Sequence, residues 1–176
     1  MAEELEIRPL RPEDDRSVFS CGQPDLDRFF HHYAGQNQFG LHLAVTYVAT
    51  VEGRLLGFAT VSVGSLERRT LPSARMRRRL PGYPLPVLRL ARLGVDRRAQ
   101  GLGVGRALLR HVLDLALAQR DSVGCVGVVT DAKPDAVAFY LRYGFEPLEG
   151  IREGALHGET TALFLALGAA DEARRG

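Results

Sequence analysis

The stretch that decides the fold is "VDRRAQGLGVGRALL", residues 95–109, in which glycine recurs at positions 101, 103 and 105 directly before a helical pattern. Glycine costs backbone entropy, so three such residues indicate a sharp bend or a ligand that approaches the backbone amides closely. Because these amides point outward at a helix N-terminus, the turn predicts an anion site. Close packing of a strand on a helix explains one glycine more easily than three.

Two familiar phosphate-binding motifs do not fit this turn. A phosphate loop of the NTPase type needs Gly-Lys followed by Ser or Thr, and Arg106 stands where that lysine would be. A dinucleotide-binding fingerprint follows the first strand with the spacing G-x-G-x-x-G, whereas this turn has the spacing G-x-G-x-G and comes after at least four predicted strands.

Length and composition predict one compact domain: the chain has 176 residues, of which 45% are hydrophobic and 25% charged. The opening "MAEELEIRPL" is acidic and lacks the apolar region of a signal peptide, and no apolar run approaches the length of a membrane span. We therefore expect a cytoplasmic protein that does not associate with a membrane. Cys21 and Cys125 are too few for a disulfide scaffold and are expected to be reduced packing residues.

Hydrophobic periodicity predicts an α/β domain with a mixed sheet. On the helix at 103–119, Arg110, His111 and Asp114 are expected to face away from the core. Pro134 suits the first turn of the next helix and Gly144 its C-cap. The predicted strands are 5–10, two strands within 43–64 around a Glu52-Gly53 turn, 87–95, 123–130 and 160–167; the predicted helices are 23–38, a turn at 74–79, 103–119 and 131–145.

The positive charge is concentrated. Lys133 is the only lysine, and the window from Arg68 to Arg98 holds ten arginines against a single acid, Asp96, in a chain whose net charge is only +2. A solvated arginine surface is one interpretation. A phosphate-facing patch for a polyanion is the other.

The five histidines have no metal-ligand spacing beyond the adjacent pair His31 and His32. Neighbouring residues on a helix point apart, so we expect no metal site.

Two signatures in the expected order resemble the GNAT N-acetyltransferase superfamily. The first is a strand followed by Gln/Arg-x-x-Gly-x-Gly/Ala, and two frames fit it, one from Gln100 and one from Arg98. The second is similar to the A-x-x-[FL]-Y-x-x-x-G-F element, which here runs from Ala136 through Tyr140 to Phe145.

The resemblance implies a single-domain GNAT acyltransferase fold over residues 1–168, with a short polar tail at 169–176. Its mixed, mostly antiparallel sheet would be splayed at the central strand and flanked by helices. It implies acetyl-CoA as co-substrate, with the pyrophosphate on the glycine turn and the pantetheine arm paired with Leu93 to Val95. Lys133 replaces an asparagine common in relatives. The residues expected to bind the cofactor are Leu93, Gly94, Val95, Gln100, Gly101, Gly103, Val104, Gly105, Arg106 and Lys133.

The chemistry needs a proton donor for the departing CoA thiolate. Tyrosine keeps its proton at neutral pH, and the resemblance places the acid at Tyr140. The alternative for Tyr140 is a buried aromatic on the helix stripe it shares with Ala136 and Tyr143, an interpretation that suits Tyr143 well. No general base stands out, because Glu67, Asp96, His42 and His157 are expected at the surface.

Over residues 7–167 the chain resembles one GNAT branch, the acetyltransferase toxins of bacterial toxin–antitoxin pairs, which acetylate the α-amine of aminoacyl-tRNA. The resemblance implies a ribbon-helix-helix antitoxin as partner, and a homodimer is a further expectation. The first helix departs from the branch, with Gly35, Phe39 and residues 41–43 where relatives often carry basic residues. The arginines expected to contact tRNA phosphates are Arg75, Arg77, Arg78, Arg79, Arg89 and Arg92.

Two other functions remain open at the level of sequence. One is a GNAT enzyme that acetylates a small-molecule amine or a peptide N-terminus, for which an acidic groove would be expected in place of arginines. The other is a non-catalytic CoA-binding module, which the presence of both Tyr140 and the glycine turn disfavours.

Overall fold

The computed structural model of the chain describes residues 4–148 and 160–168. A π-helical turn lies at Gln36–Gly40, and single 3-10 turns lie at Arg68–Thr70 and Arg97–Ala99. The strands are β1 (Glu6–Pro9), β2 (Val45–Val51), β3 (Arg54–Leu66), β4 (Leu85–Val95), β5 (Gly127–Ala132), β6 (Glu146–Pro147) and β7 (Thr161–Ala166); the helices are α1 (Pro24–His32), α2 (Ala74–Arg79), α3 (Val104–Ser122) and α4 (Val137–Arg142).

The strands form one seven-stranded sheet in the order β1-β2-β3-β4-β5-β7-β6. The pairs β1–β2, β2–β3, β5–β7 and β6–β7 are antiparallel. The predicted α/β fold with its mixed, mostly antiparallel sheet is thereby confirmed. No helix within the described ranges is long and apolar enough to cross a membrane.

The predicted turn between β2 and β3 is a two-residue hairpin. Glu52 and Gly53 have φ angles of +50° and +79°. Positive φ at both central residues is the type I′ geometry, whose twist matches that of the flanking strands.

The chain divides into two compact units, Met1–Ser62 with Leu90–Val112 and Val63–Arg89 with Leu113–Gly176. The expectation of one domain over residues 1–168 stays a prediction, and the tail at 169–176 lies outside the described residues.

The core of the first unit is aromatic. Phe30 of α1 stacks on Phe58 of β3 with ring centroids 4.4 Å apart, and Phe19 meets Phe30 edge-on at 4.7 Å. Gly57 points to the opposite face of β3, where an added Cβ would lie 2.8 Å from Val104 Cγ1. The absence of a side chain at Gly57 therefore lets α3 lie close to the strand.

The second unit is built on the pairing of β5 with β7, from Gly127 opposite Ala166 to Ala132 opposite Thr161. A Cβ on Gly127 would collide with the Phe164 ring, so this crossing requires glycine. One hydrophobic cluster in this unit consists of Leu66, Leu71, Leu85, Val87, Val129 and Phe164.

The short helix α2 begins and ends where the sequence predicts, and the Ser73 hydroxyl caps it by accepting from the Met76 N–H at 3.3 Å. The predicted first helix is too long, because α1 ends at His32 and π-helical backbone follows. The predicted strand at 123–130 begins too early. Gly124 has a φ of +106° and its N–H bonds the Gln119 carbonyl, so the start of that apolar run closes α3.

Two side-chain placements also differ from expectation. His111 does not face away from the core but is half-buried, with its ring 4.5 Å from that of Tyr47. Pro134 lies in the turn before α4 and outside the helix, whereas Gly144 follows the helix end with a φ of +93°, as a C-terminal glycine should.

Candidate functional site

The glycine turn has the geometry of a backbone anion site. Gly101 and Gly103 have φ angles of +82° and +86°, which L side chains rarely adopt. An added Cβ at either residue would meet no heavy atom within 4 Å, so the space beside the turn is open. The Gly103 carbonyl accepts from the Ala107 N–H at 3.0 Å, which starts α3 directly after the turn. A helix N-terminus therefore presents its first N–H groups, at 104–106, beside this turn.

A side-chain amide holds the turn in place. Gln100 Nε2 donates to the carbonyl oxygens of Cys21 and Val95, each at 3.0 Å. Both amide hydrogens of Gln100 thus connect the turn to the end of β4 and to the segment before α1. The side-chain amide of Gln100 therefore positions the turn. Its place among the cofactor-binding residues stays a prediction.

Asp96 also helps to hold the turn in place. Its carboxylate accepts from the backbone N–H groups of Ser20 at 3.1 Å and Arg98 at 2.9 Å, and from Arg98 Nε at 2.9 Å. Burial opposes the charged form, but these hydrogen bonds outweigh it and lower the pKa of Asp96. Asp96 is only 2% exposed, so the expectation of a surface residue is wrong.

The end of β4 packs closely on the aromatic core. A Cβ on Gly94 would lie 2.8 Å from the Phe58 ring and 3.5 Å from Cys21 Sγ, so only glycine fits there. Burial raises the pKa of Cys21 to about 11, which keeps the thiol protonated. Leu93 and Val95 are half-buried on either side of Gly94. Their assignment to the pantetheine arm stays a prediction.

Tyr140 is buried on α4 in the second unit. It is 5% exposed, and its ring lies 5.1 Å from Phe139 and 5.2 Å from Phe145. Burial raises the pKa of Tyr140 to about 12, opposed by a hydrogen bond with the Thr130 side chain. The phenol therefore holds its proton throughout the neutral range. A higher pKa makes a weaker acid but keeps the donor protonated.

The comparison of the two tyrosines reverses one expectation. Tyr143 was thought to suit the buried packing role, yet it is half-exposed while Tyr140 is the core residue. Packing and proton donation are compatible in Tyr140, because the ring packs while the hydroxyl takes part in a hydrogen bond.

Lys133 follows the last residue of β5. Its carbonyl accepts from the N–H groups of Ala136 at 2.8 Å and Val137 at 3.2 Å, which shapes the turn into α4. The lysine is half-buried. Its contact with the cofactor stays a prediction.

The six predicted tRNA-contacting arginines do not form one uniform group. Arg75, Arg78 and Arg79 are exposed on α2. Arg77 is half-buried and donates to the Leu71 carbonyl, so it also holds the segment before α2. The other two lie on β4: Arg89 forms an ion pair with Asp131 at 3.6 Å, and Arg92 belongs to the first unit.

The candidates for a general base gain no support. Glu67 is exposed and paired with Arg69, and His42 is exposed. His157 lies outside the described residues. Across 4–148 and 160–168, no group of three or more His, Cys, Asp or Glu side chains could hold a metal ion.

Sequence reasoning missed one feature of the first unit, a pocket along α1 that Arg92 completes. Asp25, Phe29, Tyr33 and Asn37 are four residues apart, and this spacing is the signal that could have revealed a shared face.

The pocket, the glycine turn and residues 93–95 all belong to the first unit. Tyr140, Lys133 and the α2 arginines belong to the second.

A family model described as an acetyltransferase (GNAT) domain matches residues 42–147. The chain is also similar to a tRNA-acetylating toxin of Mycobacterium tuberculosis (strain ATCC 25618 / H37Rv), with 37% identity over 142 residues that cover 79% of this chain and 82% of that protein.

Two solved structures are similar over nearly the whole chain. AtaT complexed with acetyl-methionyl-tRNAfMet has a TM-score of 0.84 and 28% identity, covering 96% of this chain and 98% of that chain. A mutant of the AtaT toxin bound to the C-terminus of the antitoxin AtaR and acetyl-CoA has a TM-score of 0.76 and 25% identity, covering 98% of this chain and 99% of that chain.

Proposed function

Because this chain belongs to the GNAT acetyltransferase family, we propose that it transfers the acetyl group of acetyl-CoA to the α-amino group of aminoacyl-tRNA. The family and the toxin branch predicted from the sequence are confirmed by the relatives. The observation that supports acetyl-CoA as the cofactor is the open glycine turn at the start of α3. The similarity to a tRNA-acetylating toxin supports aminoacyl-tRNA as the acetyl acceptor.

The residues of the turn fit the diphosphate of acetyl-CoA. Gly101 and Gly103 supply a turn without side chains, and the N–H groups of 104–106 supply hydrogen bonds and the positive end of the helix dipole. Gln100 and Asp96 hold that arrangement before the ligand arrives. Acetyl-CoA supplies the thioester whose carbonyl the amine attacks.

The chemistry asks little more of the chain. A backbone N–H in residues 93–95 stabilises the negative charge that develops on the carbonyl oxygen. The Tyr140 hydroxyl donates its proton to the departing thiolate, the nitrogen loses one proton to water as the amide forms, and a proton from water restores the phenol. An α-amino group has an ordinary pKa of about 7.7–8.0, so roughly a tenth of it is already neutral near pH 7 and can attack without a general base.

The exposed arginines of α2 are the tRNA-facing part of this proposal. Arg75, Arg78 and Arg79 present three guanidinium groups on a six-residue helix. Guanidinium groups bind phosphates bidentately and release counterions from the nucleic acid.

Aminoacyl-tRNA as acetyl acceptor also implies a cellular compartment and a protein partner. Aminoacyl-tRNA is a cytoplasmic substrate, and blocking its α-amine would stop translation. We therefore expect the chain to be the toxin of a cytoplasmic toxin–antitoxin pair, and we propose a ribbon-helix-helix protein as its antitoxin. The AtaT toxin bound to the C-terminus of the antitoxin AtaR supports an antitoxin as partner.

A competition assay tests the proposal. Charged tRNA is mixed with free amino acids, polyamines and short peptides, and labelled acetyl-CoA is added. We expect the label on charged tRNA and none on uncharged tRNA. Label on the free amines or peptides alone would favour the small-amine enzyme, and acetyl-CoA binding without transfer to any acceptor would favour the non-catalytic module.

A further inference from the structure

The pocket along α1 is lined by aromatic, basic, acidic and amide groups. Its volume is about 280 Å³, and all of its residues belong to the first unit. Such a mixture does not suit an apolar ligand, because ligand pockets for apolar groups are lined mainly by hydrophobic side chains. The lining residues are Asp25, Arg28, Phe29, Tyr33, Asn37 and Arg92.

Arg92 and Phe29 form a flat platform in this pocket. The guanidinium carbon of Arg92 lies 4.0 Å from the centre of the Phe29 ring, and Phe29 itself is buried at 5% exposure. One face of the guanidinium is therefore covered by a fixed ring, while Arg92 remains exposed overall. Burial against this ring lowers the pKa of Arg92, opposed by the charge of Asp25. A stacked guanidinium plane is a surface on which another planar group can lie.

The other lining groups match the parts of a nucleotide. Tyr33 is 50% exposed, which is high for an aromatic residue, and its ring offers a second stacking surface. The Asn37 amide can donate and accept along one edge of a base, as asparagine side chains do with adenine in other proteins. Asp25 can accept from a ribose hydroxyl, and Arg28 can bind a phosphate.

We infer that this pocket binds an unpaired nucleobase by stacking it on Arg92 and Tyr33. This inference rests on the proposed function, under which the base belongs to the single-stranded acceptor end of tRNA. Single-stranded RNA ends are recognised in this way, with bases stacked on aromatic rings or guanidinium planes and hydrogen-bonded at their edges. Arg92 then binds RNA through its plane and not only through its charge.

The test uses the full chain and a cytidine-cytidine-2-aminopurine trinucleotide that carries no amino acid. Stacking quenches 2-aminopurine fluorescence, and fluorescence anisotropy of an end-labelled copy gives the affinity. A matched trinucleotide with an abasic last residue keeps the phosphates and removes the base. We expect quenching with the wild-type protein, and tighter binding of the base-bearing probe than of the abasic one.

Three variants distinguish stacking on a planar side chain from attraction by the positive charge of Arg92. Arg92→Lys keeps the charge without the plane, Tyr33→Leu removes a ring, and Tyr33→Phe keeps it. Each of the first two should weaken binding of the base-bearing probe about 5-fold or more and leave binding of the abasic probe unchanged, since each removes one stacking surface. Tyr33→Phe should match the wild type. Unchanged acetyl-CoA affinity in all three verifies folding.

Equal binding of the two probes, or equal weakening of both by Arg92→Lys, would overturn the nucleobase site. The binding assay contains neither acetyl-CoA nor an amino acid. A wild-type protein that acetylates charged tRNA but shows no base-dependent binding contradicts only this inference, whereas base-dependent binding without acetyl transfer contradicts only the proposed function.

Discussion

Gln100 Nε2 lies 3.0 Å from the carbonyl oxygen of Cys21, so a residue at the glycine turn is bonded to the segment that precedes α1. The same amide donates to the Val95 carbonyl at the end of β4. One side chain therefore fixes the turn relative to the strand that is proposed to bind the pantetheine arm.

Replacing Gln100 with methionine tests the role of these two hydrogen bonds. The substitution keeps the length of the side chain but leaves two carbonyl oxygens without these donors, which costs about 1–3 kcal/mol where such groups stay buried. We expect a lower free energy of unfolding in urea and a weaker acetyl-CoA affinity by calorimetry. The matched control is Gln119→Met, which removes a hydrogen bond to the Gly124 carbonyl at the other end of α3. Equal acetyl-CoA affinities in the two variants would contradict the positioning role.

Gly103→Asn tests the anion site. Asparagine tolerates positive φ better than other residues with a Cβ, and a Cβ at this position meets no heavy atom within 4 Å, so the fold should survive. The side chain stands in the space proposed for the diphosphate. Acetyl-CoA affinity should fall roughly tenfold or more, which is about 1.4 kcal/mol. Gly53→Asn is the control, because Gly53 has a similar φ of +79° and equally open space in the β2–β3 turn. Unchanged affinity in a folded Gly103→Asn protein would show that the diphosphate binds elsewhere.

Tyr140→Phe removes the proposed proton donor and keeps the ring. A positioned general acid contributes about 10²–10⁴-fold, so kcat should fall by that order with acetyl-CoA affinity nearly intact. Tyr143→Phe should change kcat little. Small, equal losses in both variants would leave Tyr140 with a packing role alone.

The raised pKa of Tyr140 also predicts a pH profile. A phenol of pKa about 12 stays protonated far above neutrality, so it sets no alkaline limit in the accessible range. The rate constant kcat/KM should rise with pH as the acceptor amine, of ordinary pKa about 7.7–8.0, loses its proton, and should not fall again by about pH 9. A falling alkaline limb in the wild type that Tyr140→Phe lacks would mean that the donor titrates much lower.

Charge reversal on α2 tests the tRNA surface. Arg75, Arg78 and Arg79 are chosen because they are exposed, whereas Arg77 also bonds the Leu71 carbonyl and its loss would disturb the segment before α2. Changing the three to glutamate should weaken tRNA binding by about 10²-fold or more and leave acetyl-CoA binding intact. Wild-type affinity for tRNA should fall by about 0.7–0.9 log units per phosphate contact for each tenfold rise in salt concentration. The control reverses Arg54, Arg120 and Arg142, which are also exposed. Equal losses in the two triple variants would indicate a net-charge effect and no patch.

Local signals predicted the parts of the fold that depend on local chemistry. Glu52-Gly53 defined the hairpin, the glycine turn defined the start of α3, and the limits of α2 followed from its patterning. Burial was harder to predict because it depends on partners distant in the chain. The buried Asp96 accepts a hydrogen bond from the backbone N–H of Ser20, 76 positions away, and the Arg92–Phe29 platform joins two elements that no local pattern connects.

The central claim is that acetyl is added to the α-amine of the amino acid on tRNA. Its most direct test is mass spectrometry of the terminal nucleoside, released by ribonuclease after charged tRNA has reacted with labelled acetyl-CoA. We predict acetyl on the aminoacyl nitrogen, so that mild alkaline deacylation releases the label from tRNA as an N-acetyl amino acid. Label that stays on the tRNA after deacylation, or that never reaches charged tRNA, would contradict the account.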